Sequence, residues 1–130
     1  MVMNDTLAAC LANIYNCELK GKSECLITQN SKMIRRVLQI LKDYKYIGEF
    51  EELSKERGGL IKVNLIGNIN KCGVIKPRFF VKKYDYERFE KRYLLAKGFG
   101  IIIVSTSQGL MTHEEAIEKN IGGRLIAYCY

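Results

Sequence analysis

Ile101-Ile102-Ile103-Val104-Ser105-Thr106-Ser107-Gln108-Gly109-Leu110-Met111-Thr112-His113-Glu114-Glu115 is the stretch that decides the architecture of the second half of this chain. Four consecutive β-favouring apolar residues predict a buried strand over 101–105, and the polar run that follows predicts a loop. Thr112 then stands three residues before Glu115, the spacing of a capping box, in which the threonine hydroxyl accepts from the Glu115 amide. A helix therefore starts at Thr112 and ends in Asn120 to Gly123, and Arg124 to Tyr130 alternates as a last strand. Upstream, Gly98-Phe99-Gly100 leads into the first strand, Tyr86, Phe89, Tyr93 and Leu94 fit a short helix, and Val74-Ile75 reads as a short strand ending near Pro77. These elements predict an α+β lobe over residues 69–130, built on a mostly antiparallel sheet with one or two short helices.

Residues 1–68 carry a different pattern. Leu7, Leu11, Ile14 and Tyr15 recur at helical spacing over about residues 5–16, and Lys20-Gly21-Lys22 turns the chain into a strand at Glu24 to Thr28. A second helix starts at Asn30 or Ser31, with Ile34, Val37, Leu38 and Leu41 on one face and Lys32, Arg35, Arg36 and Lys42 mostly on the others, which predicts a wet, positive face. Strands follow at 46–53 and 60–66, where Ile61, Val63 and Leu65 alternate with Lys62 and Asn64, and Gly58-Gly59 marks the hairpin between them. The order helix, strand, helix, strand, strand predicts a small N-terminal α/β lobe. Gly67 to Gly73, polar and glycine-containing, is the expected boundary, so the fold class is α+β in two small lobes.

Several functions are argued against by what the sequence lacks. With 130 residues and 48% hydrophobic content the chain builds a core, and its longest apolar run, Phe99 to Val104, is too short to span a bilayer. Leu7-Ala8-Ala9-Cys10 imitates a lipoprotein cleavage box, but Asn4 and Asp5 precede it and no basic residue appears before Lys20. Five scattered cysteines and a single histidine form neither a disulfide framework nor a zinc site, so reduced core thiols, no metal and no cofactor are expected. Ser107-Gln108-Gly109 lacks the preceding glycine of a nucleophile elbow, and Gly98-Phe99-Gly100 precedes a strand where a dinucleotide fingerprint would follow one. His113 reads as a solvated residue in the first turn of a helix. Neither an enzyme nor a small-molecule substrate is expected.

Charge is unevenly placed. Residues 62–97 hold 10 basic and 3 acidic residues, whereas residues 1–61 hold 9 and 8 and residues 98–130 hold 2 and 3, so the middle segment carries the whole excess of +7. Lys76, Arg78, Lys82 and Lys83, with Tyr84 beside them, supply cations for phosphate and a planar surface for bases. The same aromatic spacing also suits a core, and long basic side chains also merely solvate a face. Ser105-Thr106-Ser107-Gln108-Gly109 offers three hydroxyls, an amide and a glycine next to a helix N-terminus, whose free amides favour phosphate. Read alone, it fits an ordinary strand-to-helix turn equally well.

The run Val104 to Thr112, with Glu115-Ala116 and Gly122-Gly123-Arg124-Leu125-Ile126-Ala127-Tyr128, strongly resembles the C-terminal signature of the universal small-subunit ribosomal protein eight family. Asp5-Thr6-Leu7-Ala8, Ile14-Tyr15-Asn16, Ser31-Lys32, Gly48-Glu49-Phe50-Glu51 and Val63-Asn64-Leu65 extend the resemblance over essentially the whole chain. Asn70 to Phe79 is more similar to the archaeal and eukaryotic branch than to the bacterial one, and the serine that opens the Ser105 triplet points to the archaeal form. The resemblance implies a primary binder of the ribosomal RNA (rRNA) of the small subunit, on an irregular helix of the central domain, that assists platform assembly. Implied partners are that rRNA and other small-subunit proteins in the cytoplasmic ribosome, with no membrane. Implied RNA contacts are Ser105, Thr106, Ser107, Gly122 and Gly123, with Ser31 and Lys32 from the N-terminal lobe, and Gln108 and Gly109 of the same loop are candidates on their own chemistry. The alternative is a non-ribosomal RNA regulator of the same fold, for example one that binds mRNA for autoregulation.

Overall fold

The computed structural model describes residues 6–28, 32–54, 60–75, 80–94 and 100–130, which form two compact units, residues 1–69 and 70–130. In the first, helix α1 (Thr6–Leu19) leads through strand β1 (Glu24–Ile27) to helix α2 (Lys32–Asp43) and the strands β2 (Ile47–Ser54) and β3 (Leu60–Leu65). The sheet order is β1-β3-β2, antiparallel throughout, with Cys25 opposite Val63 and Phe50 opposite Val63 on the other side. The expected alternation of β3 holds: Ile61, Val63 and Leu65 are buried, as are Leu11 and Ile14 of α1 and Val37, Leu38 and Leu41 of α2. The Gly58-Gly59 hairpin lies outside the described residues.

Two details depart from expectation. Helix α1 runs on to Leu19, three residues beyond the predicted end, and the Glu18 carboxylate so placed accepts from the Ile69 amide at 2.9 Å. On α2 the positive face is partly neutralised, because Lys42 lies 2.8 Å from Glu49 and Arg35 3.5 Å from Glu52, both on β2. Lys32 stays exposed at the helix start. The helix closes with Lys45 at φ 63° while the Tyr46 amide donates back to the Leu41 carbonyl, which satisfies end groups the helix leaves open.

Cys10 and Cys25 are buried in this unit. Burial pushes each thiol from 9.0 up to about 12, and the neighbouring Cys17 adds to the shift at Cys25. A raised native value means that the folded chain holds protons that the unfolded chain has already released. This stability is therefore complete below pH 9 and is lost between about 9 and about 12. The urea midpoint is expected to fall from pH 8 to pH 10.5, and to fall less steeply in a Cys10→Val/Cys25→Val protein. Equal slopes would remove the thiols from the alkaline response.

The second unit contains β4 (Cys72–Val74), β5 (Phe80–Val81), α3 (Tyr86–Tyr93), β6 (Ile101–Thr106), β7 (Gly109–Thr112), α4 (His113–Glu118) and β8 (Gly123–Cys129). Its antiparallel sheet runs β4-β8-β6-β7, with β5 pairing the start of β8 and β4 its end. Ile75, Val81, Tyr86, Phe89, Ile102, Val104, Met111, Ala116 and Leu125 form the core between this sheet and the two helices. Tyr86 and Phe89 are thus core residues, and Tyr93 stacks on Tyr128 at 5.8 Å.

Two strands were not foreseen, β5 and β7. The second matters more: the stretch after Ser105, expected to be a loop entering a helix, folds back on β6 as a hairpin. The Thr112 hydroxyl then accepts from the Glu115 amide at 3.3 Å as the capping box requires, and donates to the Glu115 carboxylate at 3.4 Å. The helix ends with Asn120 at φ 57° and the Ile121 amide donating to the Ala116 carbonyl.

Candidate RNA interface

The hairpin pairs Thr106 with Gly109 and leaves Ser107 and Gln108 exposed at its tip. Gly109, at φ 105°, closes the turn where a side chain would be strained. The Thr106 hydroxyl is used inside the turn: it accepts from the Gln108 amide at 3.1 Å and donates to the Gly109 carbonyl at 2.9 Å. The three hydroxyls consequently have different tasks. Thr106 holds the tip, while Ser105 and Ser107 stand outward. The expected neighbouring helix N-terminus is not there, since β7 separates the tip from α4.

Ser105 lies opposite Arg124 of β8 and Leu110 of β7, and Arg124 lies opposite Phe80 of β5. Directly paired residues share a face. Phe80, Arg124 and Ser105 are all exposed, Phe80 to 65%, so an aromatic ring, a guanidinium and a hydroxyl make one row across the sheet, on the face turned away from the core partners Val81, Leu125 and Val104. Directly after β5, Lys82, Lys83 and Tyr84 form an exposed turn in which the Asp85 amide donates to the Lys82 carbonyl at 2.9 Å. Tyr84 is 81% exposed, with the Lys83 ammonium 5.1 Å from its ring centre.

Gly122 and Gly123 join these two parts. A Cβ on Gly122 would stand 2.5 Å from the Val81 carbonyl oxygen, and one on Gly123 would stand 2.8 Å from that of Ser105. The pair therefore lets the basic turn and the hydroxyl hairpin close on the start of β8 from either side. Gly123 is itself buried, so its task is spacing. Arg124 was missed as a site residue in the sequence; the alternation of the last strand, which turns it outward beside Ser105, was the available signal. Ser31, Lys76 and Arg78 lie outside the described residues, and Lys32 belongs to the other unit.

His113 is the clearest correction. It is 0% exposed, where the sequence predicted a solvated residue. Its Nδ1 accepts from the Ile102 amide at 3.1 Å, which continues the β6–β7 ladder at the point where β7 gives way to α4. That bond leaves the proton on Nε2, which lies 3.5 Å from the carboxylate of Glu90, a residue of α3 that is 4% exposed. One imidazole thus bonds the start of α4 to β6, while its Nε2 makes no hydrogen bond and only stands beside α3, the helix that carries Arg88, Lys91 and Arg92.

No helix among the described residues is long and apolar enough to cross a membrane. A family model described as ribosomal protein S8 matches residues 5–130.

Proposed function

The chain belongs to the ribosomal protein S8 family, and on that premise we propose that it is a primary binder of the small-subunit rRNA, seated on an irregular helix of the central domain where it assists platform assembly. As a member of this family it is an RNA-binding structural constituent of the small subunit of the cytoplasmic ribosome, in company with other ribosomal proteins. The finer assignment rests on one observation above all: a cationic turn and an uncharged, hydroxyl-bearing hairpin converge on Gly122 and Gly123. The lobe over residues 69–130 makes the main contact. Ser105, Ser107 and Gln108 read sugar hydroxyls and base edges, Thr106 and Gly109 hold that tip, and Lys82, Lys83 and Tyr84, joined by Arg124, meet phosphate and bases. Lys76 and Arg78 belong to the same basic segment, and Ser31 with Lys32 adds a smaller contact from the N-terminal lobe. The sequence of residues 70–79 and the serine at 105 favour the archaeal branch of the family.

Attraction and discrimination then reside in different residues, which gives the test. Replacing Lys82, Lys83 and Arg124 by Ala one at a time is expected to flatten the dependence of log K on log salt by about 0.7–0.9 for each phosphate that the variant no longer neutralises. Binding isotherms between 50 and 300 mM salt measure this. An unchanged slope in the triple variant would remove the basic turn from the interface.

A further inference from the structure

Two cysteines of the second unit stand directly opposite each other. The register of β4 against β8 sets Cys72 against Cys129. Antiparallel partners alternate between pairs that exchange both backbone hydrogen bonds and pairs that exchange none. The flanking residues fix the phase. The Lys71 amide donates to the Tyr130 carbonyl at 3.0 Å and the Tyr130 amide donates to the Lys71 carbonyl at 2.9 Å, so Lys71 and Tyr130 are a hydrogen-bonded pair. Further along, the Ile75 amide donates to the Ile126 carbonyl at 2.9 Å, in the same phase. Cys72 and Cys129 therefore occupy a non-hydrogen-bonded position, where α-carbons approach to about 4.5 Å and side chains on the shared face stand closest. A disulfide needs α-carbons roughly 4.4–6.8 Å apart and both β-carbons on one side. At this position the bond needs no rearrangement of the strands.

We infer that Cys72 and Cys129 are an oxidative modification site, at which hydrogen peroxide closes the two thiols into a disulfide that fastens the end of β8 to β4. The inference stands apart from the rRNA-binding reading. One sulfur attacks an oxygen of the peroxide; the O–O bond breaks, and the leaving hydroxide takes the thiol proton as water, which leaves a sulfenic acid. The second sulfur then attacks the first, the S–O bond breaks, and a second water departs with the second thiol proton. The two sulfurs lose two electrons and the peroxide gains them. Both side chains are buried, Cys72 to 5% exposure and Cys129 to 1%, so the oxidant needs an opening. Strand β4 supplies it, because three residues at the edge of a sheet part from their neighbour at little cost. Among the described residues no other strand pairing sets one cysteine against another: Cys25 faces Val63, and Cys17 donates to the Asn13 side chain at 3.7 Å within α1. In a reducing compartment the pair rests as thiols, and exposure to oxidant closes it. The bond gathers most of residues 70–130 into one loop, and a disulfide stabilises more the longer the loop it closes.

The test uses the full chain, first reduced and then held folded in native buffer with a small excess of hydrogen peroxide. Remaining thiols are capped with N-ethylmaleimide, and the chain is digested without reduction and read by mass spectrometry. The expected product is a pair of peptides from one chain joined through Cys72 and Cys129, two hydrogens lighter than the sum of its parts and released by dithiothreitol. A Cys17→Ala/Cys25→Ala protein, which removes the other two neighbouring thiols, should form the same link. The urea midpoint of the oxidised wild type should rise by about 1–2 M, the scale of one disulfide across a long loop, and Cys72→Ala given the same treatment should show no rise. Three results would overturn the inference: Cys72 and Cys129 recovered capped after the peroxide treatment, a link found only between two chains or only between Cys17 and Cys25, or a linked chain whose urea midpoint equals that of the reduced one.

Discussion

His113→Ala is expected to destabilise the second unit by about 3–5 kcal/mol, the range for truncating a large buried ring side chain to alanine, against a total of roughly 5–15 kcal/mol for a typical domain. Three effects combine. The Ile102 amide is left inside the protein without its acceptor, the Glu90 carboxylate is deprived of the imidazole 3.5 Å away, and the ring leaves a void in a fully buried site. Denaturant unfolding followed by circular dichroism measures the effect. The mechanism predicts a partial recovery in a His113→Leu/Glu90→Leu protein, where no carboxylate is left facing an apolar side chain and the void is refilled. A double variant that is less stable than either single one would contradict it.

Gly123→Ala is the second large effect. Its Cβ would stand 2.8 Å from the Ser105 carbonyl oxygen and 2.9 Å from the Thr106 methyl group, and the first of these is backbone that cannot rotate away. Either β8 or the hairpin must move. Overpacking of this kind costs about 1–3 kcal/mol, but the consequence for binding should exceed the consequence for folding, since the displaced atoms carry Ser105 and Ser107. We expect the variant to remain folded, with its urea midpoint lowered, and to bind rRNA at least about tenfold more weakly, the equivalent of roughly one good bidentate pair. Wild-type affinity in this variant would mean that the hairpin position does not matter for RNA.

The periodic parts of the fold were legible in the sequence because their cause is local. Ile61, Val63 and Leu65 alternate because one face of β3 is buried, and Thr112 announces α4 because the cap needs only residues 112–115. The missed parts have causes elsewhere in the chain. Strand β5 has two residues and exists because Gly122 lets it approach the start of β8. Strand β7 reads as loop because Gly109-Leu110-Met111 is too short to alternate visibly, and its partner β6 shows no sign of pairing in its own apolar run. His113 beside two glutamates looks solvated until Glu90, twenty-three positions earlier, is brought beneath it.

The candidate site divides along the same line. Its chemistry was readable as residue types, but the division of labour within Ser105-Thr106-Ser107 was not, because the bonds that commit Thr106 to the turn appear only once Gly109 closes the hairpin. The place of Arg124 in the row likewise depends on strand register.

The central claim is that the hydroxyl hairpin selects the RNA. The most direct test is equilibrium binding, at one fixed salt concentration, to a central-domain fragment of small-subunit rRNA and to an unrelated hairpin of equal length, for the wild-type chain and for Ser105→Ala/Ser107→Ala. The wild type should prefer the fragment, and the double variant should lose about 1 kcal/mol of that preference for each hydrogen bond removed, with its binding to the unrelated hairpin and its salt slope unchanged. Equal affinity of the wild type for both RNAs, or an undiminished preference in the folded double variant, would contradict the account.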